Sequence, residues 1–146
     1  MADREERPLW ECRACGRAFA NRNQSHACGR HDLESHFAGK APLVRQIFDA
    51  FVTMIERSGP VTILPEKTRI AFQHRMSFAQ LTVRKSWVIG HLVLARRADD
   101  AAFTKVETIS PRNHVHHFRL DDPAEVAGLA DFAREAAAVG RQEHLI

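Results

Sequence analysis

The chain has 146 residues, 45% of them hydrophobic, which excludes wholesale disorder and allows one ordinary core, or a small module beside a compact domain. No apolar run approaches the roughly 20 residues of a membrane span. The charged stretch at residues 1–10 lacks the apolar centre of a secretory signal, so the expected compartment is the cytoplasm. The net charge of +3 is unevenly spread. Residues 1–60 carry nine Lys/Arg against eight Asp/Glu, residues 61–119 ten against four, and residues 120–146 two against six. A basic middle can attract phosphate or another anion, or it can be an ordinary solvated sheet face beside an acidic helix.

Residues 1–9 read as a charged tail. All three cysteines, Cys12, Cys15 and Cys28, fall in the next segment, residues 10–40. An odd number of clustered cysteines in a reducing compartment points to metal rather than to a disulfide. Two residues separate Cys12 from Cys15, so both thiolates can sit on one tight turn, with Gly16 letting the following amides point back at the sulfur. Zinc takes four ligands in a tetrahedron. The second pair is His26 with Cys28 or Cys28 with His31, and His36 is a more distant choice for the fourth ligand. A closed set of three cysteines and one histidine leaves no open coordination position, so the expected Zn2+ is structural rather than catalytic. It would replace a core that so short a segment cannot build. The competing reading is buried cysteines with unrelated histidines.

Asp32 is placed to cap a short helix over residues 33–38, which Gly39 ends. Pro42 opens a helix over residues 42–57, with Val44, Ile47, Phe48, Phe51 and Ile55 at helical spacing. Gly59 and Pro60 stop it. The period then falls to about two. Strands are expected over residues 61–64, 68–76, 78–84, 87–95, 104–109 and 115–120. In the second run Ile70, Phe72 and Met76 alternate with Arg69, Ala71 and Arg75, which predicts one wet face. Residues 87–95 are apolar on both faces, which suits a central strand. Asp121 or Asp122 caps a last helix that starts at Pro123, buries Val126, Leu129, Phe132, Ala133 and Ala136, and ends at Gly140.

No helix lies between strands, so βαβ crossovers are excluded and short connections imply antiparallel pairing. The expected fold is α+β. A zinc-ribbon or knuckle module (residues 10–40) precedes a domain (residues 41–146) with a mostly antiparallel sheet of about five strands. Helices 42–57 and 123–139 share one face of that sheet.

The opposite face would carry Arg69, Arg75 and Arg84, near Lys67. Lys85, Arg96, Arg97, Arg112 and Arg119 could extend this into a phosphate-tracking surface, with Phe78 and Trp87 as the aromatic partners that single-stranded nucleic acid needs. His114, His116 and His117 lie close together, but alternation puts His116 and His117 on opposite faces. His74 or His91 from a neighbouring strand could complete a second metal site or an acid–base pair. No known catalytic pattern occurs: there is no nucleophile elbow, no phosphate-binding glycine loop and no zinc-protease helix. Glu107 is followed by Thr108 and Ile109, so a nuclease-like Glu-x-Lys is absent as well. The expected function is a small zinc-binding protein acting as a non-catalytic binding or adaptor module through its basic sheet face. The alternatives are a nucleic-acid-binding accessory protein, and an enzyme using His117 with a basic residue and Glu107.

Several motifs carry a resemblance. They are Cys12-x-x-Cys15-Gly16, Asn23-Gln24-Ser25-His26-x-Cys28-Gly29, His36-Phe37, Gly39-Lys40, Gly59-Pro60-Val61-Thr62, Pro65-x-Lys67-Thr68-Arg69-Ile70-Ala71-Phe72 and His116-His117-Phe118-Arg119-Leu120. Together they resemble an uncharacterised bacterial family filed as a domain of unknown function, some of whose relatives are labelled predicted transport proteins. The α/β part is similar in element order to the small YdhG-like and YjbR-like domains. The resemblance implies His26 with Cys28 as the second ligand pair. It also marks Lys67, Thr68, Arg69 and His117 as a possible site, and supplies no substrate.

Overall fold

The structure, a computed structural model, describes residues 8–13, 15–23 and 31–145. The first described element is a small antiparallel hairpin, β1 (Trp10–Glu11) with β2 (Ala18–Phe19), in which Trp10 stands opposite Phe19. A single 3-10 turn follows at Leu33–His36, shorter than the expected helix, and the Asp32 side chain caps it by accepting the Glu34 N–H at 3.2 Å. Helix α1 (Pro42–Glu56) starts at the proline and buries Val44, Ile47, Phe48, Phe51 and Ile55, together with Met54.

Six strands then form one antiparallel sheet: β3 (Thr62–Pro65), β4 (Ile70–Gln73), β5 (Ser77–Val83), β6 (Val88–Leu94), β7 (Lys105–Ser110) and β8 (Asn113–Leu120). Their spatial order is β3-β4-β5-β6-β8-β7. The sheet holds six strands rather than about five, because all six expected runs join it, the short first one pairing along its whole length with β4. As expected, β6 is central. Strand β4 departs from expectation in two ways. It ends at Gln73, where a register shift interrupts its pairing with β5. All four of its residues are buried, so it has no wet face. Its outer side is covered by the hairpin, since Gln73 Nε2 donates to the Ala18 carbonyl at 2.5 Å.

Pleating assigns the sheet's two faces. Leu81, Gly90 and Phe118 pair across β5, β6 and β8 on the inner face, with Ala79, Leu92 and His116 beside them. Both helices pack into the core on this side: Phe51 of α1 meets Phe72 edge-on at 5.2 Å and stacks on Phe118 at 5.8 Å. The last helix is not α-helical throughout. A 3-10 segment, Pro123–Leu129, precedes α2 (Ala130–Gly140). In a 3-10 turn residues three apart eclipse, and Val126 and Leu129, so spaced, are both buried. The Asp122 side chain caps it, accepting the Ala124 N–H at 2.8 Å.

Gly90 is where the central strand lies closest to its neighbours. A Cβ there would collide with the Gln80 carbonyl and stand 2.8 Å from Leu81 Cδ2 and 2.9 Å from Phe118 Cζ. Gly90→Ala is therefore expected to lower the unfolding free energy by about 1–3 kcal/mol. Urea denaturation would read this as a lower midpoint at unchanged slope.

Candidate anion site

Three chain segments meet at one corner of the domain. The β3–β4 turn is closed by the Glu66 N–H donating to the Arg69 carbonyl at 2.7 Å, which puts Lys67 and Thr68 at its tip. The β5–β6 turn is closed by the Arg84 N–H on the Trp87 carbonyl at 2.9 Å. The approach to α1 is pinned to the same place by the Ala41 N–H on the Lys85 carbonyl at 2.8 Å. Between them lies a depression of about 620 Å³ lined by Lys40, Lys67, Arg69 and Arg84, with the hydroxyls of Ser35, Thr68 and Thr82 and the ring of His36.

Three of these cations were expected from the sequence; Lys40 was not. Lys40 Nζ donates to the Val83 carbonyl at 2.6 Å, and its pKa lies below the ordinary lysine value through burial first and the Arg84 charge second. Nothing in residues 61–119 signals it, because the approach to α1 brings it in from 27 positions before Lys67. The local acid is Glu66, shared between Arg17 at 3.3 Å and Arg69 at 3.7 Å. Among the described residues Lys67 and Arg84 make no ion pair.

Arg69 also faces the open side of the sheet. There Gln80, His91, His117 and Lys105 form one cross-strand row through β5, β6, β8 and β7. The rings of His91 and His117 lie edge to face with centroids 5.6 Å apart. His117 Nε2 donates to Glu107 Oε1 at 2.7 Å, and Lys105 approaches the same oxygen at 3.5 Å. The His117 hydrogen bond first and the Lys105 charge second hold the Glu107 carboxyl below the usual carboxylate range. His91, His117, Glu107 and Lys105 thus share the open face of the sheet.

Other expected residues go elsewhere. Arg75 sits at the β4–β5 turn, at the far end of β4, and its Nε donates to Gln142 Oε1 at 2.9 Å. Its placement on a common face with Arg69 and Arg84 is corrected, because β4 stops before reaching it. His74 stacks on Phe78 at 4.8 Å, away from the other histidines of the sheet. His116 is fully buried and does face opposite to His117: its Nε2 accepts the Ala98 N–H at 2.9 Å and its Nδ1–H donates to the His114 carbonyl at 2.9 Å. His114 bonds Thr108 and Pro111. Phe78 is buried, and Arg119 lies over the half-buried Trp87 ring at 4.7 Å, so neither offers an open stacking platform.

Of the expected zinc ligands, Cys12 and Cys15 are described, whereas His26 and Cys28 lie outside the described residues. The two described cysteines flank a tight turn at the hairpin tip. The Gly16 N–H donates to the Cys12 carbonyl and the Cys12 N–H to the Arg17 carbonyl, both at 2.8 Å. Gly16 has φ +77°, a conformation that favours glycine. His36, the distant ligand choice, donates from Nε2 to the Glu66 carbonyl at 2.7 Å. Among the described residues no group of three or more His, Cys, Asp or Glu side chains could hold a metal ion. Likewise no helix among them is long and apolar enough to cross a membrane.

Burial pushes the His91 pKa down to about 4, helped by the charges of His117 and Arg69 and opposed by Glu107. His116 and His74 are also lowered, each by burial first. A histidine lowered on folding binds fewer protons in the native state than in the unfolded state across that interval. Its contribution is therefore complete above about pH 6.5 and is lost as pH falls towards about 4. Denaturant titrations at a series of pH values should show stability falling through this window, with a shallower fall in His91→Asn.

Comparison with known proteins identifies one family. The model of a domain of unknown function, DUF5655, matches residues 33–137. No curated protein and no solved structure matches the chain. The matched region takes in the whole six-stranded sheet, α1 and most of α2, with every cation of the depression. The chain belongs to the DUF5655 family.

Proposed function

We propose that this protein is a non-catalytic binding module that takes a small anionic ligand in the depression formed by Lys40, Lys67, Arg69 and Arg84. The supporting observation is the convergence of four cations from three chain segments on one concave surface whose lining, among the described residues, includes no carboxylate. Such a surface concentrates anions. Guanidinium groups and hydroxyls at its rim provide the directional donors that hold phosphate or carboxylate oxygens. A small ligand is favoured over single-stranded nucleic acid because base stacking needs open aromatic faces, and Trp87 is already covered by Arg119.

The proposal includes a structural zinc ion in the N-terminal segment, held by Cys12, Cys15, His26 and Cys28, with His31 as the alternative fourth ligand. The tight turn at Cys12–Gly16 supports it, because the Gly16 N–H on the Cys12 carbonyl and the Cys12 N–H on the Arg17 carbonyl hold both cysteines on one compact loop. Zinc would supply the cross-link that so small a hairpin lacks. Cys15→Ser is expected to abolish a one-to-one zinc content by elemental analysis. A chelator should loosen the hairpin while the core between α1 and α2 keeps its far-UV circular dichroism. Absence of stoichiometric metal from protein purified without chelator would remove this part of the proposal.

The anion site is tested by calorimetric titration with inorganic phosphate and pyrophosphate at low salt. Lys67→Ala and Arg84→Ala should each weaken binding by about tenfold, the worth of one charge-assisted hydrogen bond. Arg75→Ala, at the other end of β4, should leave affinity unchanged, and added salt should weaken binding throughout. Equal binding by all three variants would overturn the assignment.

A further inference from the structure

We infer that the anion site does not stop at the depression but continues along the open sheet face to His91, so that its ligand is a phosphate chain or another phosphate ester carrying a second anionic group. This rests on the binding site proposed above and specifies what occupies it.

Arg69 is the link. It lines the depression, and it is also one of the charges that act on His91. Thr82, another lining residue, lies two positions from Gln80 on the same face of β5, and Gln80 is the cross-strand partner of His91. Gln80 also pairs with Ala71, so His91 stands two strands across and two residues along from Arg69. At about 4.8 Å per strand and about 3.4 Å per residue, a chain of phosphates seated on that long guanidinium side chain can extend towards His91. His91 is half-buried, and among the described residues its ring nitrogens have no hydrogen-bond partner. A polar ring in that position has a free N–H to donate and no competing acceptor of its own.

The groups facing His91 are Arg69 from the β3–β4 turn, Gln80 from β5, His117 from β8 and Glu107 from β7. Glu107 is the one carboxylate among them, and it is already engaged by His117 and Lys105. The face therefore offers a second anionic group more attraction than repulsion. An anion placed beside His91 would also favour its protonated form, so binding and proton uptake are linked, each strengthening the other.

The test compares inorganic phosphate, pyrophosphate and tripolyphosphate on the full-length protein at one pH and low salt, together with the NMR titration of the His91 ring. Tripolyphosphate is expected to bind about tenfold tighter than phosphate. His91→Asn should erase that advantage while leaving phosphate affinity intact. In wild-type protein, saturating tripolyphosphate should move the His91 ring titration to higher pH, and phosphate should move it much less. This readout needs no variant to fold. If phosphate binds but chain length has no effect and the His91 signal stays in place, the extension is wrong and the depression stands. If phosphate does not bind at all, the depression is wrong and the extension falls with it.

Discussion

The pairing of β6 with β5 and β8 decides both faces of the sheet at once. Leu81, Gly90 and Phe118 align on the inner face, and one residue further along the same strands Gln80, His91 and His117 align on the outer one. Side chains alternate with period two, so a one-residue slip of β6 would exchange these rows, driving His91 into the core and Leu92 out of it. Gly90 fixes the register sterically, since only a residue without a side chain fits between the Gln80 carbonyl and the Phe118 ring. The hydrophobic core and the row of imidazoles are thus two consequences of one alignment.

The charges divide into those that are satisfied locally and those that are not. Arg96 pairs with Glu135 at 2.8 Å, Arg119 with Asp121 at 2.9 Å and Arg45 with Glu34 at 2.8 Å. These exposed pairs add little stability, but they engage Arg96 and Arg119, two of the cations of any wider phosphate-tracking surface. Lys40, Lys67, Arg69 and Arg84 are held close together by turns, and among the described residues Arg69 alone of the four has an ion-pair partner, Glu66. Three cations of the basic middle, Lys67, Arg69 and Arg84, therefore meet Lys40 at one corner.

Glu66 ties that corner to the N-terminal hairpin. Its carboxylate meets Arg17, its carbonyl accepts from His36 and its N–H closes the turn that presents Lys67. With the bond from Gln73 to Ala18, these contacts seat the hairpin along β3 and β4. Burial of the outer side of β4 follows from this docking. A strand that would otherwise alternate wet and dry is covered on both sides, and its polar residue, Gln73, is paid for by a hydrogen bond.

Local patterning in the sequence determined the helices, the strands and the central place of β6, because periodicity, Pro42, Asp122 and the paired turn residues act within a few positions of themselves. It also determined that His116 and His117 face opposite ways, since alternation is a local property of any strand. It could not give the early end of β4 or the 3-10 start of the last helix, which depend on pairing and packing between distant segments. Lys67, Arg69 and Arg84 were legible as a basic cluster, but Arg75 looked equivalent to them and Lys40 was invisible. What the chain brings together at its basic corner, and the meeting of His91 with His117, is set by which strands lie side by side, a matter the tertiary structure alone decides.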